Sequence, residues 1–161
     1  MENMGKRIKP GELAVSLAIP LAAGGLSALI TKGAMKDFES LRQPPLSPPG
    51  WLFPVVWTGL YVLMGIASYR VYTSPASQQR RDRALRLYGI QLGMNFAWTI
   101  IFFSLGLYLT AFIWLLVMWL LILITSLLFF YIDRKAGKLM VPYILWTTFA
   151  AYLNLGVYLL N

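Results

Sequence analysis

Five stretches of this chain are each long and apolar enough to cross a lipid bilayer, and nothing else in the sequence restricts the fold as much. They run over roughly residues 13–31, 51–72, 84–105, 108–132 and 139–160. A bilayer core needs about 20 predominantly apolar residues per helix. No Asp, Glu, Lys or Arg lies near the middle of any of the five. Hydrocarbon offers the backbone no water to bond to, so runs of this length close their hydrogen bonds internally, as helices. The expected fold class is all-α, an integral membrane bundle of five transmembrane helices forming a single domain over residues 1–161. The first run is long for the apolar core of a signal peptide and has no clear small-x-small cleavage site after it.

Composition narrows the chemistry. The chain is 58% hydrophobic and 12% charged, whereas soluble domains are about one quarter charged. It contains neither cysteine nor histidine. Disulfides, thiol catalysis, histidine metal sites and haem ligation by either residue are therefore excluded, and neither a metal nor a cofactor is expected. The net charge of +8 reads as basic loops gathered on one side of a bilayer, not as a nucleic-acid surface. Lys6, Arg7 and Lys9, the group Arg70, Arg80, Arg81, Arg83 and Arg86, and the group Arg134, Lys135 and Lys138 share one side if there are five spans. That places eleven of the 14 basic residues together and leaves Lys32, Lys36 and Arg42 opposite. The asymmetry predicts a multi-pass cell-membrane protein with a cytoplasmic N-terminus. The proline-rich first loop, residues 32–50, and the C-terminus would then lie outside.

Within the helices, side chains fall into stripes. At about 100° per residue, Gly89, Gly93 and Ala97 share one face of the third helix, while Gln91, Asn95, Trp98 and Phe102 share nearly the opposite one. Small residues four apart let helices approach closely in lipid, so the first stripe is read as a homodimer interface. The second stripe seeks a protein interior, because amides are costly in hydrocarbon. On the fifth helix Tyr143, Thr147, Ala150 and Asn154 lie close to one stripe, with Trp146 beside it. A mid-depth Trp departs from the interfacial preference of that residue, and its buried N–H needs a partner. Asn154 either serves a ligand or bonds to Asn95 across the bundle. On the second helix Phe53, Trp57 and Tyr61 recur every four residues, whereas Trp51 and Tyr72 read as interfacial anchors. Three helices thus offer aromatics and neutral polar groups without a charge. That pattern describes a pocket for a flat, mostly apolar ligand and not an ion or proton path.

Three segments carry a resemblance. They are Pro48-Pro49-x-Trp51-x-Phe53-Pro54-x-x-Trp57-x-x-Leu60-Tyr61, then Asn95-Phe96-Ala97-Trp98-x-x-x-Phe102-Phe103, then Pro142-Tyr143-x-x-Trp146-x-x-Phe149-Ala150-x-x-Leu153-Asn154. In order, spacing and helix placement they resemble the TspO/MBR family of translocator proteins, tryptophan-rich sensory proteins and peripheral-type benzodiazepine receptors. The resemblance runs from about residue 38 to the C-terminus. It implies five helices with a pocket under the first loop, porphyrins such as protoporphyrin IX, sterols or synthetic isoquinoline and benzodiazepine compounds as ligands, and a dimer. It also implies that Trp57 and Trp146 are the tryptophans proposed to act in light-driven porphyrin breakdown by some bacterial members. Ala150 takes the position where side-chain changes alter ligand binding in the family. The chain departs from the family pattern at Asp37-Phe38, where Trp-Tyr is usual, and at Gln43-Pro44-x-Leu46, where Lys-Pro-x-Trp is usual. Tyr158 is followed by Leu159, Leu160 and Asn161, which leaves the animal sterol motif incomplete, so cholesterol binding is not carried over.

The expectation is a membrane receptor or sensor for a porphyrin-like ligand, with a light-dependent porphyrin-degrading enzyme as the alternative and a porphyrin or sterol transporter as the second. Its ligand residues would be Phe38, Pro48, Pro49, Phe53, Trp57, Tyr61, Gln91, Asn95, Trp98, Phe102, Tyr143, Trp146, Thr147, Ala150 and Asn154. The prolines of the first loop would stiffen a lid over the ligand.

Overall fold

The structure is a computed structural model that describes residues 7–161; Lys6, counted above among the basic residues, lies outside them. Five long helical segments form the bundle, as the apolar runs predict. Helix α1 spans Pro10–Thr31 and is followed by a 3₁₀ turn, Lys32–Ala34, and the short α2, Met35–Glu39. Then come α3 (Leu52–Tyr72), α4 (Gln78–Thr99), α5 (Tyr108–Ile132), the short α6 (Arg134–Leu139) and α7 (Val141–Leu160). The third long helical segment begins at Gln78, ahead of its apolar run, because Ser77 caps α4 by accepting a hydrogen bond from the Arg80 N–H. The fifth is split at Met140 into α6 and α7, and Asp133 caps α6 by accepting from the Ala136 N–H at 3.0 Å.

The outward surface is made of side chains that water would not tolerate. Leu29 is 72% exposed, Leu145 66% and Leu159 70%. An apolar surface that continuous belongs against lipid. Lipid tails are as apolar as leucine, so the helices associate through close packing and buried polar bonds instead of a hydrophobic drive.

Helix α1 shows how close packing is achieved. Pro20 has no N–H to donate to Ser16 four residues earlier, and that freed carbonyl faces α3 at Gly65. A Cβ on Gly65 would lie 2.9 Å from Ser16 O and from Leu17 Cα, so only glycine admits this approach.

The two ends of the bundle are tied differently. At the end rich in basic residues, the Lys9 N–H donates to the Tyr69 hydroxyl at 2.9 Å. Arg70 donates twice to Asp133, from Nε and Nη2, each at 3.1 Å. Burial works against ionisation of Asp133, but Arg70 and the N–H groups of Ala136 and Lys135 outweigh it and hold the carboxyl below its ordinary value. At the opposite end the first loop is fastened to α7. The Arg42 N–H donates to Asn161 Oδ1, Asn161 Nδ2 donates to Arg42 O, and the Tyr152 hydroxyl donates to Pro45 O at 2.7 Å. Pro44 is buried against Gly156, whose missing side chain makes the room.

Candidate functional site

At the loop end the helices enclose a cavity of about 430 Å³. Its walls come from α1, α3, α4 and α7, and α2 contributes Phe38. Aromatic rings dominate the lining. Trp57 stacks on Tyr61 with centroids 5.6 Å apart and meets Trp146 edge-on at 6.5 Å. Trp98 stacks on Phe102 at 5.5 Å, and Phe53 stands edge-on to Trp146 at 6.0 Å.

The chain end of α4 is shaped for this. Over Ile100–Ser104 it widens into a π-turn, in which the Leu105 N–H reaches Ile100 O five residues back at 3.0 Å. A π-turn rotates consecutive side chains by less than an α-turn does. Phe102 and Phe103 therefore both face the cavity mouth, where they hold Phe38 at 5.7 and 5.1 Å.

Most polar atoms in the wall are already used. Ser27 donates to Gly24 O, Thr31 to Ser27 O, Thr58 to Pro54 O and Thr99 to Asn95 O. Asn154 accepts from the Trp98 indole at 3.1 Å and donates to Tyr108 O at 2.8 Å. It is a bond between helices, as one reading of the sequence allowed, but its partners are Trp98 and Tyr108 and not Asn95. One buried donor in the lining is unpartnered: the indole N–H of Trp146. A buried N–H without an acceptor is costly, and a ligand acceptor would satisfy it.

A family model described as TspO/MBR matches residues 16–159. The chain belongs to the TspO/MBR family. It is 41% identical over 145 residues to a tryptophan-rich sensory protein of Cereibacter sphaeroides, covering 88% of each chain. Protein CrtK of Rhodobacter capsulatus is 37% identical over 139 residues, 86% of each chain. The translocator protein of Bos taurus is 31% identical over 138 residues, 84% of this chain and 82% of its own. The chain is accordingly a multi-pass membrane protein of this family.

Set in this TspO/MBR bundle, the residues singled out from sequence divide into two groups. Phe38, Phe53, Trp57, Tyr61, Trp98, Phe102, Trp146, Ala150 and Asn154 line the cavity. Gln91, Asn95, Tyr143, Thr147, Pro48 and Pro49 do not. The first three of these form a buried knot: the Tyr143 hydroxyl accepts from Asn95 Nδ2 and donates to Gln91 Oε1, both at 2.8 Å. Thr147 donates to Tyr143 O within its own helix. The Pro49 carbonyl receives the Leu52 N–H as α3 begins. Gly89 and Gly93 lie on the outer surface with open space where a side chain would be, and Ala97 is half-buried.

The aromatic and amide stripes lie on the other helices and leave α1 out. Gly24, Gly25, Ser27, Ala28 and Thr31 nevertheless form one cavity wall. The available signal was the cluster of small residues over 22–28, which is the usual mark of a helix that others approach closely.

Proposed function

We propose that this TspO/MBR protein is a membrane receptor whose loop-end cavity binds porphyrins or similar flat, mostly apolar molecules. The observation that carries the reading is the lining itself: Trp57, Trp98 and Trp146 present ring faces and edges around one space. A volume of about 430 Å³ falls within the usual range of small-molecule sites, about 300–1,000 Å³. Each aromatic pair with a stacked ligand is worth about 0.5–1.5 kcal/mol beyond burial, and the Trp146 N–H supplies one directional bond. Phe38 and Gln43 act as the lid, while Pro44 and Pro45 fix that lid to α7. The test is titration of the purified protein with protoporphyrin IX, followed by tryptophan quenching in the dark and in light. Saturable quenching in the dark is expected; quenching that rises linearly without saturation would sink the reading.

Light-driven breakdown of the porphyrin is the second reading, favoured by the contact of two oxidisable rings, Trp57 and Trp146, across the same space. Trp57→Phe and Trp146→Phe keep most of the apolar area. Each should weaken binding tenfold or less, for a loss of about 1.4 kcal/mol. Photodegradation that falls far more than binding does would favour the enzyme, and porphyrin stable in light would exclude it.

Orientation and assembly belong to the same proposal. The basic end faces the cytoplasm, so a cysteine at Ser47 should react with an impermeant thiol reagent in intact cells and one at Ser77 should not. The exposed Gly89 and Gly93 are the contact face of a homodimer, and Gly93→Leu should yield monomers in detergent. Dimers that persist in that variant would move the interface elsewhere.

A further inference from the structure

Among the described residues lining the aromatic cavity, one side chain is charged: Lys32. It follows directly on α1, opening the 3₁₀ turn that leads to the lid. Its ammonium is exposed and forms no ion pair among the described residues. Asp37 and Glu39 stand nearby in sequence and neither pairs with it. Deeper in the chamber the Ser, Thr and Asn side chains are committed to internal partners, which leaves the floor and walls without charge and, beyond the indole N–H groups of Trp57 and Trp146 and the Tyr61 hydroxyl, largely apolar. The cavity is therefore polarised, with an aromatic interior and a single cation at its rim. Lysine suits this place, because its methylene stem lies along apolar surface while the head stays at the wet edge.

We propose that Lys32 is a specificity-determining residue. It selects flat apolar ligands that carry a carboxylate on one edge and orients them with that edge at the mouth and the ring among Trp57, Trp98 and Trp146. The inference rests on the porphyrin reading above and adds to it which part of the ligand is recognised. The competing role for Lys32 is structural, since a cation at the end of α1 also complements the helix dipole. The two roles separate experimentally, because a dipole contribution changes stability without regard to the ligand's charge.

The probes are protoporphyrin IX, which carries two carboxylates, and its dimethyl ester, which keeps the ring and masks both. The full chain in neutral detergent is titrated with each, and the ratio of the two dissociation constants is compared between variants. Differences in micelle partition then cancel. The pair is exposed and modest, so Lys32→Gln should shift the ratio toward the ester by roughly two- to fivefold with the ester's own affinity unchanged. Lys32→Glu should shift it further in the same direction, and added salt should shrink the wild-type preference. Lys36→Gln, a neighbouring cation outside the lining, should leave the ratio as it is. An unchanged ratio in both Lys32 variants would overturn the proposal while the porphyrin reading stands, whatever happens to their melting. Failure of both compounds to bind saturably to the wild type would overturn the porphyrin reading and this proposal with it.

Discussion

At the basic end of the bundle Ala67, Val71, Ile122, Phe129, Ala136 and Met140 are all 0% exposed, and α6 wedges between α3 and α5. At the loop end the same long helices stand apart around a chamber of about 430 Å³. Both ends contain buried amides and aromatic rings, so composition does not distinguish them. What differs is how much of the space between the helices is filled. In the Gln91–Tyr143–Asn95 knot one hydroxyl of α7 serves two amides of α4, and that pins α4 to α7. Around the chamber the rings pack at 5–6.5 Å with few directional bonds across the space. The bundle is thus packed solid at one end and open around a chamber at the other.

If that division is right, substitutions at the two ends should fail in different ways. The largest expected effect is Phe129→Ala. Lipid is as apolar as the core, so the cost is mainly the cavity left behind, about 2–3 kcal/mol. Thermal unfolding in detergent should show it, with porphyrin affinity per folded molecule unchanged. Phe53→Ala, in the chamber, should show the reverse: weaker binding and little loss of stability.

Next comes Tyr143→Phe. It keeps the ring and removes the hydroxyl, leaving Asn95 Nδ2 and Gln91 Oε1 without that partner. A loss of about 1–2 kcal/mol of stability is expected, with near-normal binding. Normal melting together with lost binding would place the knot in the ligand site and erase the distinction between the two ends.

The smallest effect concerns the tie at the basic end. Asp133 has a lowered folded-state pKa, so its contribution to stability is full above the unfolded carboxyl value of about 3.9. That contribution is lost as pH falls through the folded value. Asp133→Ala also removes the cap of α6 and should cost about 1 kcal/mol near neutral pH. The variant should lose less stability than wild type between about pH 5 and pH 3, as melting curves across that range would reveal. Parallel pH profiles would mean that the Arg70 pair contributes nothing measurable.

The fold was legible in the sequence because bilayer thickness sets a length that five apolar runs satisfy and no other arrangement does. The aromatic part of the site was legible for a related reason. Trp57, Trp146 and Trp98 sit at depths where anchoring cannot explain them, and helical periodicity turns them inward. Periodicity could not tell Asn95 from Asn154, since both face the interior. Which of them reaches the chamber depends on how far apart α3, α4 and α7 stand at that level, a tertiary distance that spacing does not encode. The π-turn at Ile100–Ser104 was hidden for the same reason: no Gly or Pro marks it, and an α-helical wheel misplaces Phe103. The wall from α1 leaves no such mark, because its small residues shape the chamber by leaving space, whereas stripes of aromatics and amides mark a site by the side chains they bring.

The loop-end chamber is the proposed ligand site, and Ala150 tests it most directly. This residue is 7% exposed and lines the chamber from α7. Ala150→Leu adds bulk into open space without disturbing a hydrogen bond. Protoporphyrin IX should then lose saturable tryptophan quenching, while the melting temperature in detergent holds or rises. Wild-type affinity in the variant, with melting unchanged, would contradict the account and move the ligand to another surface of the bundle.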